Sequence, residues 1–113
     1  RKRLRCRRRF TTILDMKRFW RGLLGGKLLS ETTTQEMISP QIPENSFKEG
    51  SYSCGVWIDR EDGGGRVLSL EGCDPGVSFH FSCNQERNLI ITLASNFGSD
   101  IWKLYEKIKA LFL

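Results

Sequence analysis

The run RVLSLEGCDPGVSFHF at residues 66–81 restricts what this chain can fold into more than any other. Its second half alternates cleanly. Val77, Phe79, Phe81 and Cys83 fall on one face of an extended chain, Ser78, His80 and Ser82 on the other. A period of two is the spacing of a strand with one face against a core. Between the apolar segments, Gly-Cys-Asp-Pro-Gly supplies turn chemistry, because proline presets φ and glycine accepts positive φ. Two antiparallel strands, at 66–71 and 77–83, are therefore expected around a sharp reversal.

The flanking segments supply what such a hairpin packs against. Residues 52–59 place Tyr52, Cys54, Val56 and Ile58 on one face of a strand. Residues 88–95 include LIITLA, apolar on both faces apart from Thr92, which reads as a well-covered strand. Turns are expected at 60–65 and 84–88. Upstream, Ile13, Met16, Phe19, Trp20, Leu23 and Leu24 recur at helical spacing between a Thr12/Asp15 capping box and Gly25-Gly26. A shorter helix is expected over 30–39, with Thr33/Glu36 as its capping pair and Pro40 as its stop. An irregular connection covers 40–50. Ile101, Leu104, Tyr105, Ile108, Leu111 and Phe112 predict a last helix, capped by Ser99 or Asn96. The expected fold is α+β: a four-stranded antiparallel meander (52–59, 66–71, 77–83, 88–95) with two N-terminal helices and one C-terminal helix. At least one sheet edge is left exposed and lightly defended.

Charge divides the 113 residues unevenly. The net charge is +5, yet residues 1–9, RKRLRCRRR, hold seven of the 18 basic side chains and no acid. The rest carries 11 basic and 13 acidic residues, a net of −2. The chain thus divides into a basic tail, 1–9, expected to be disordered, and a domain over 10–113. Such a tail attracts nucleic acid or acidic membrane by counterion release and surface potential. It lacks interleaved aromatics, and it also reads as a terminus without a task. Cys6, Cys54, Cys73 and Cys83 form no Cys-x-x-Cys pair, and the lone His80 completes no zinc pattern. Buried free thiols are expected, with no metal and no cofactor. No apolar run reaches the roughly 20 residues needed to cross a bilayer, no signal peptide is visible, and a soluble chain is expected.

Four segments in this order resemble the C-terminal portion of the serine β-lactamase-like hydrolases, the group that includes class C β-lactamases, D-alanyl-D-alanine carboxypeptidases and related esterases. They are TTILDMKRFWRGLLGGKLLS, YSCGVWI, GCDPGVSFHFSCNQERNLIITLASN and SDIWKLYEKI, together covering about residues 10–110. The resemblance implies a serine nucleophile in Ser-x-x-Lys, helped by a tyrosine from a Tyr-x-Asn-like motif, since a hydroxyl needs a base to become nucleophilic. Neither motif occurs in these 113 residues: no Ser-x-x-Lys is present, and neither Tyr52 nor Tyr105 has Asn two residues on. Aligned on the Asp-Pro-Gly turn, the family's Lys-Thr-Gly or His-Thr-Gly falls on Leu70, Glu71 and Gly72. Only the glycine matches. The resemblance also assigns an oxyanion-hole role to the backbone N–H after that glycine, here Cys73, and a backbone donor survives a change of side chain.

These residues lead to the expectation of a non-catalytic C-terminal fragment of such a hydrolase, inactive alone. The alternatives are a subunit completing a split hydrolase acting on esters, β-lactams or D-alanyl peptides, and a small binding module using its basic tail. Expected partners are a separate N-terminal hydrolase portion or a second copy joined through exposed sheet. Glu71 and Asp74 are the carboxylates nearest the turn and read as turn chemistry rather than an acid/base pair. His80, without a serine or cysteine partner at a recognisable spacing, reads as structural.

Overall fold

The computed structural model describes residues 11–42, 50–60, 65–97 and 101–112. The basic tail, the middle of the 60–65 turn and the Ser99 cap lie outside them. The elements run α1 (Ile13–Leu24), α2 (Glu31–Met37), β1 (Ser51–Tyr52), β2 (Trp57–Arg60), β3 (Arg66–Asp74), β4 (Val77–Asn84), β5 (Leu89–Ser95) and α3 (Ile101–Ala110). The architecture is α+β with a five-stranded antiparallel sheet in the order β1-β2-β3-β4-β5.

Helix α1 starts because the Thr12 hydroxyl accepts the Asp15 N–H at 3.1 Å. The Asp15 carboxylate in turn accepts the Thr12 hydroxyl at 3.0 Å. The expected box is thus closed through the hydroxyl, aspartate being one methylene shorter than glutamate. In α2 the cap is Ser30, whose hydroxyl accepts the Thr33 N–H at 3.2 Å, and not the expected Thr33/Glu36 pair. The true cap lies three residues earlier, where the chain is still extended.

The sheet corrects two strand boundaries. Residues 52–59 do not form one strand, because the chain reverses at Cys54–Gly55. Gly55 has φ +84°, and the Ser53 N–H donates to the Val56 carbonyl at 2.9 Å. That reversal makes the fifth strand and leaves Cys54 exposed. Strand β3 runs to Asp74, past the expected end at 71, because Asp74 pairs with Val77. Only Pro75 and Gly76 (φ +81°) form the turn, the pattern of a type II turn.

Both sheet faces are covered. Trp20, Leu23 and Ile38 pack with Val56, Ile58, Leu68, Phe81 and Cys83 on one face. Trp20 stacks on Phe81 with centroids 4.4 Å apart and planes 16° from parallel. Alternation puts Ser78, His80, Ser82 and Asn84 on the other face of β4. They are buried there, where α3 packs on β4 and β5. Small side chains allow that close approach. Strand β5 is covered on its faces but forms the sheet's outer edge. Its Ile91 is buried, and Leu89, Ile90 and Leu93 are half-buried. The well-covered strand expected there is therefore open along one side.

Candidate functional site

Strand β2 pairs only with residues 66–69 of β3, from Arg60↔Arg66 to Trp57↔Ser69. Among the described residues, 70–74 continue beyond it paired with β4 alone. The two-residue turn fixes which backbone groups face the vacant side. It makes Asp74↔Val77 a hydrogen-bonded pair, and hydrogen-bonded and non-bonded pairs alternate along an antiparallel ladder. Gly72 then bonds β4, while Glu71 and Cys73 turn their N–H and C=O groups outward. The residues 71–74 are all exposed. A side chain built at Gly72 would meet no atom within 4 Å, so the sheet face over this strand end is open.

The expected site residues are thus brought to one strand end but point in different directions. Leu70 packs against the α1-side core. Glu71 points to the opposite face, where its Oε1 lies 3.0 Å from His80 Nδ1. Its charge is engaged with the imidazole, not with Asp74. The Cys73 thiol is exposed and free, as is Cys54, so among the described cysteines the expectation of buried thiols holds for Cys83 alone. Burial raises the Cys83 thiol above its ordinary range, which keeps it protonated and inert.

His80 is the residue whose environment the sequence could not show. It is 3% exposed, and its ring centroid lies 4.0 Å from that of Tyr105 on α3. Its Nε2 is buried without a hydrogen-bond partner. Desolvation lowers its pKa below 6.5, against the opposing pull of the Glu71 hydrogen bond and the charges of Glu71, Glu106 and Asp59. The neutral ring has Nδ1 as donor to the carboxylate. Beside it a cleft of about 270 Å³ is lined by Ser69, Glu71, Trp102, Tyr105 and Glu106 among others. Ser69 donates to Asp59 at 3.1 Å and is not a partner of His80. This carboxylate–imidazole pair joins β3 to β4, and the contacts of His80 are Glu71 and the Tyr105 ring, neither one a serine or cysteine nucleophile. Among the described residues no group of three or more His, Cys, Asp or Glu is arranged to hold a metal, and no helix is long and apolar enough to cross a membrane.

No family model and no curated protein matches the chain. Among solved structures, the crystal structure of a penicillin binding protein from Bacillus halodurans matches it with a TM-score of 0.80 and 32% sequence identity. The match covers 89% of this chain and 30% of that one. The chain has a penicillin-binding-protein-like fold. It spans less than a third of the length of that protein. The expected α+β architecture of the β-lactamase and penicillin-binding-protein type is thereby established. The likeness does not single out the class C or esterase branches.

Proposed function

We propose that these residues are the C-terminal portion of a serine β-lactamase-like hydrolase and supply its site-edge strand, without the nucleophile. The observation that carries this reading is the open end of β3. Glu71 and Cys73 offer backbone groups to a vacant edge, beside a glycine over which nothing is packed. In this reading Gly72 admits close approach of substrate to the strand. The Cys73 N–H is the oxyanion donor, a part that acts only where charge develops. Leu70 and Glu71 occupy the positions of the cation or imidazole and the threonine. Leu70 is turned into the core, and Glu71 is held by His80. Acyl transfer then needs a serine and its base from elsewhere, because no Ser-x-x-Lys occurs in the 113 residues.

The substrate class is an ester, a β-lactam or a D-alanyl peptide. The test is incubation with a fluorescent penicillin and a nitrophenyl ester, read by intact mass and by release of the chromophore. The chain alone is expected to give no acyl adduct and no turnover above solvent. A stable adduct on this chain alone would overturn the reading. Mixing it with a nucleophile-bearing portion of a penicillin-binding-protein-like chain tests the split-hydrolase alternative by recovery of the adduct.

A further inference from the structure

His80 is closed in by the chain's own elements. It lies on β4 between Glu71 of β3 and Leu93 of β5. Helix α3 packs on β4 and β5 and brings the Tyr105 ring within 4.0 Å, centroid to centroid, and the imidazole is left 3% exposed. The Glu71 carboxylate accepts from Nδ1 at 3.0 Å, which uses one ring nitrogen. The other, Nε2, is buried with no hydrogen-bond partner. In the neutral ring Nε2 carries no proton. A second proton makes both nitrogens donors and gives the ring a charge. The enclosed Nε2–H then has no acceptor, and an unpaired donor on a charged group is costly to bury. Strands β3 and β5 are tied to β4 by backbone ladders. Helix α3 rests on side-chain packing, and of its ten residues Ile101 alone is buried. The element that yields is therefore α3.

We propose that His80 is an acid-sensitive latch: proton uptake at Nε2 lifts α3 off β4, while β3, β4 and β5 stay paired. The groups facing the ring set where this happens. Desolvation disfavours the charged ring and prevails over Glu71 on β3, Glu106 on α3 and Asp59 on β2, which favour it, so the closed state holds the His80 pKa below 6.5. Arg60 of β2 and Tyr105 and Lys109 of α3 line the adjoining cleft, where the two cations add to the desolvation, and β5 carries no ionisable residue. Lifting α3 returns the ring to water and to its ordinary pKa. The stability that His80 lends the closed state is thus fully present above pH 6.5 and is lost as pH falls through the lower value. Glu71 directly precedes Gly72, so the latch shares a strand end with the candidate site. The inference rests on contacts within this chain and is independent of the hydrolase reading.

Amide exchange well above and well below pH 6.5, expressed as protection relative to a free peptide, tests it. The α3 amides are expected to be less protected than those of β4 at both values, the mark of an opening short of unfolding. Their protection is expected to fall about threefold or more on acidification, with about tenfold per pH unit the limit for one proton. His80 is the one histidine in the chain, so its ring resonance reports the matching titration without ambiguity. His80→Gln is expected to remove the response. Glu71→Gln takes away a charge that favours the protonated ring and is expected to move the response to lower pH, a check that holds where His80→Gln does not fold. Protection of α3 that does not change with pH would overturn the proposal. So would α3 and β4 amides that share one protection at both values, a response that His80→Gln retains, or one that Glu71→Gln leaves in place.

Discussion

Replacing Phe81 by alanine tests how the fold presents its sheet edge. Phe81 is fully buried at the middle of β4 and stacks on Trp20 of α1 at 4.4 Å. Leu68 and Cys83 belong to the same cluster. Truncation removes the ring's transfer free energy and leaves a cavity between α1 and the sheet. Losses of this kind are about 3–5 kcal/mol. Roughly 0.5–1.5 kcal/mol of that belongs to the ring pair itself. Set against a total stability of about 5–15 kcal/mol, the variant is left near the limit of folding. Phe81→Leu keeps more volume and is the version to measure if the alanine variant does not fold. The assay is urea unfolding followed by circular dichroism for wild type, Phe81→Ala, Trp20→Ala and the double variant. Because both rings line one cavity, the double variant is expected to lose less than the sum of the two, with a coupling of about 1 kcal/mol. Additive losses, or a Phe81→Ala loss below about 1.5 kcal/mol, would show that α1 is not seated on β4 and would refute the packing argument.

Two further outcomes concern the helix start and the buried imidazole. Thr12→Ala removes the α1 cap and is expected to cost about 1 kcal/mol, read as a shift of the urea midpoint with unchanged slope. Burial lowers the His80 pKa below 6.5, so the unfolded chain takes up this proton before the folded one does. The stability linked to His80 is therefore fully present above pH 6.5 and is lost as pH falls from there through the lower folded-state value. Urea midpoints above and below that range should fall with acid in the wild type. The drop should be smaller in His80→Gln, and an equal drop in both would assign it to other groups.

Much of this fold is legible from residue spacing, and the limits of that legibility are physical. The 77–83 alternation, the α1 stripe and the Asp-Pro-Gly turn each state their local structure, because strand and helix periods and turn chemistry are properties of neighbouring residues. The break at Cys54–Gly55 is less visible, since Tyr52, Val56 and Ile58 keep an apparent period of two across a two-residue reversal. The candidate strand was readable, but the directions of its side chains were not. Leu70 and Glu71 look like two altered site positions in the sequence, and only β3–β4 pairing turns one into the core and the other onto His80.

By itself the sequence determined the element types, the turn, the lack of Ser-x-x-Lys and the family likeness, all of which follow from local pattern. Tertiary structure alone decided three other matters. A small, polar face of β4 is buried, because α3 lies over it. Residues 70–74 stand free, because β2 ends at the partner of Ser69. LIITLA lies last in the order of the described strands, a position its two apolar faces do not state. Each depends on which element is adjacent to which, and long-range adjacency leaves no period in a chain for local spacing to reveal.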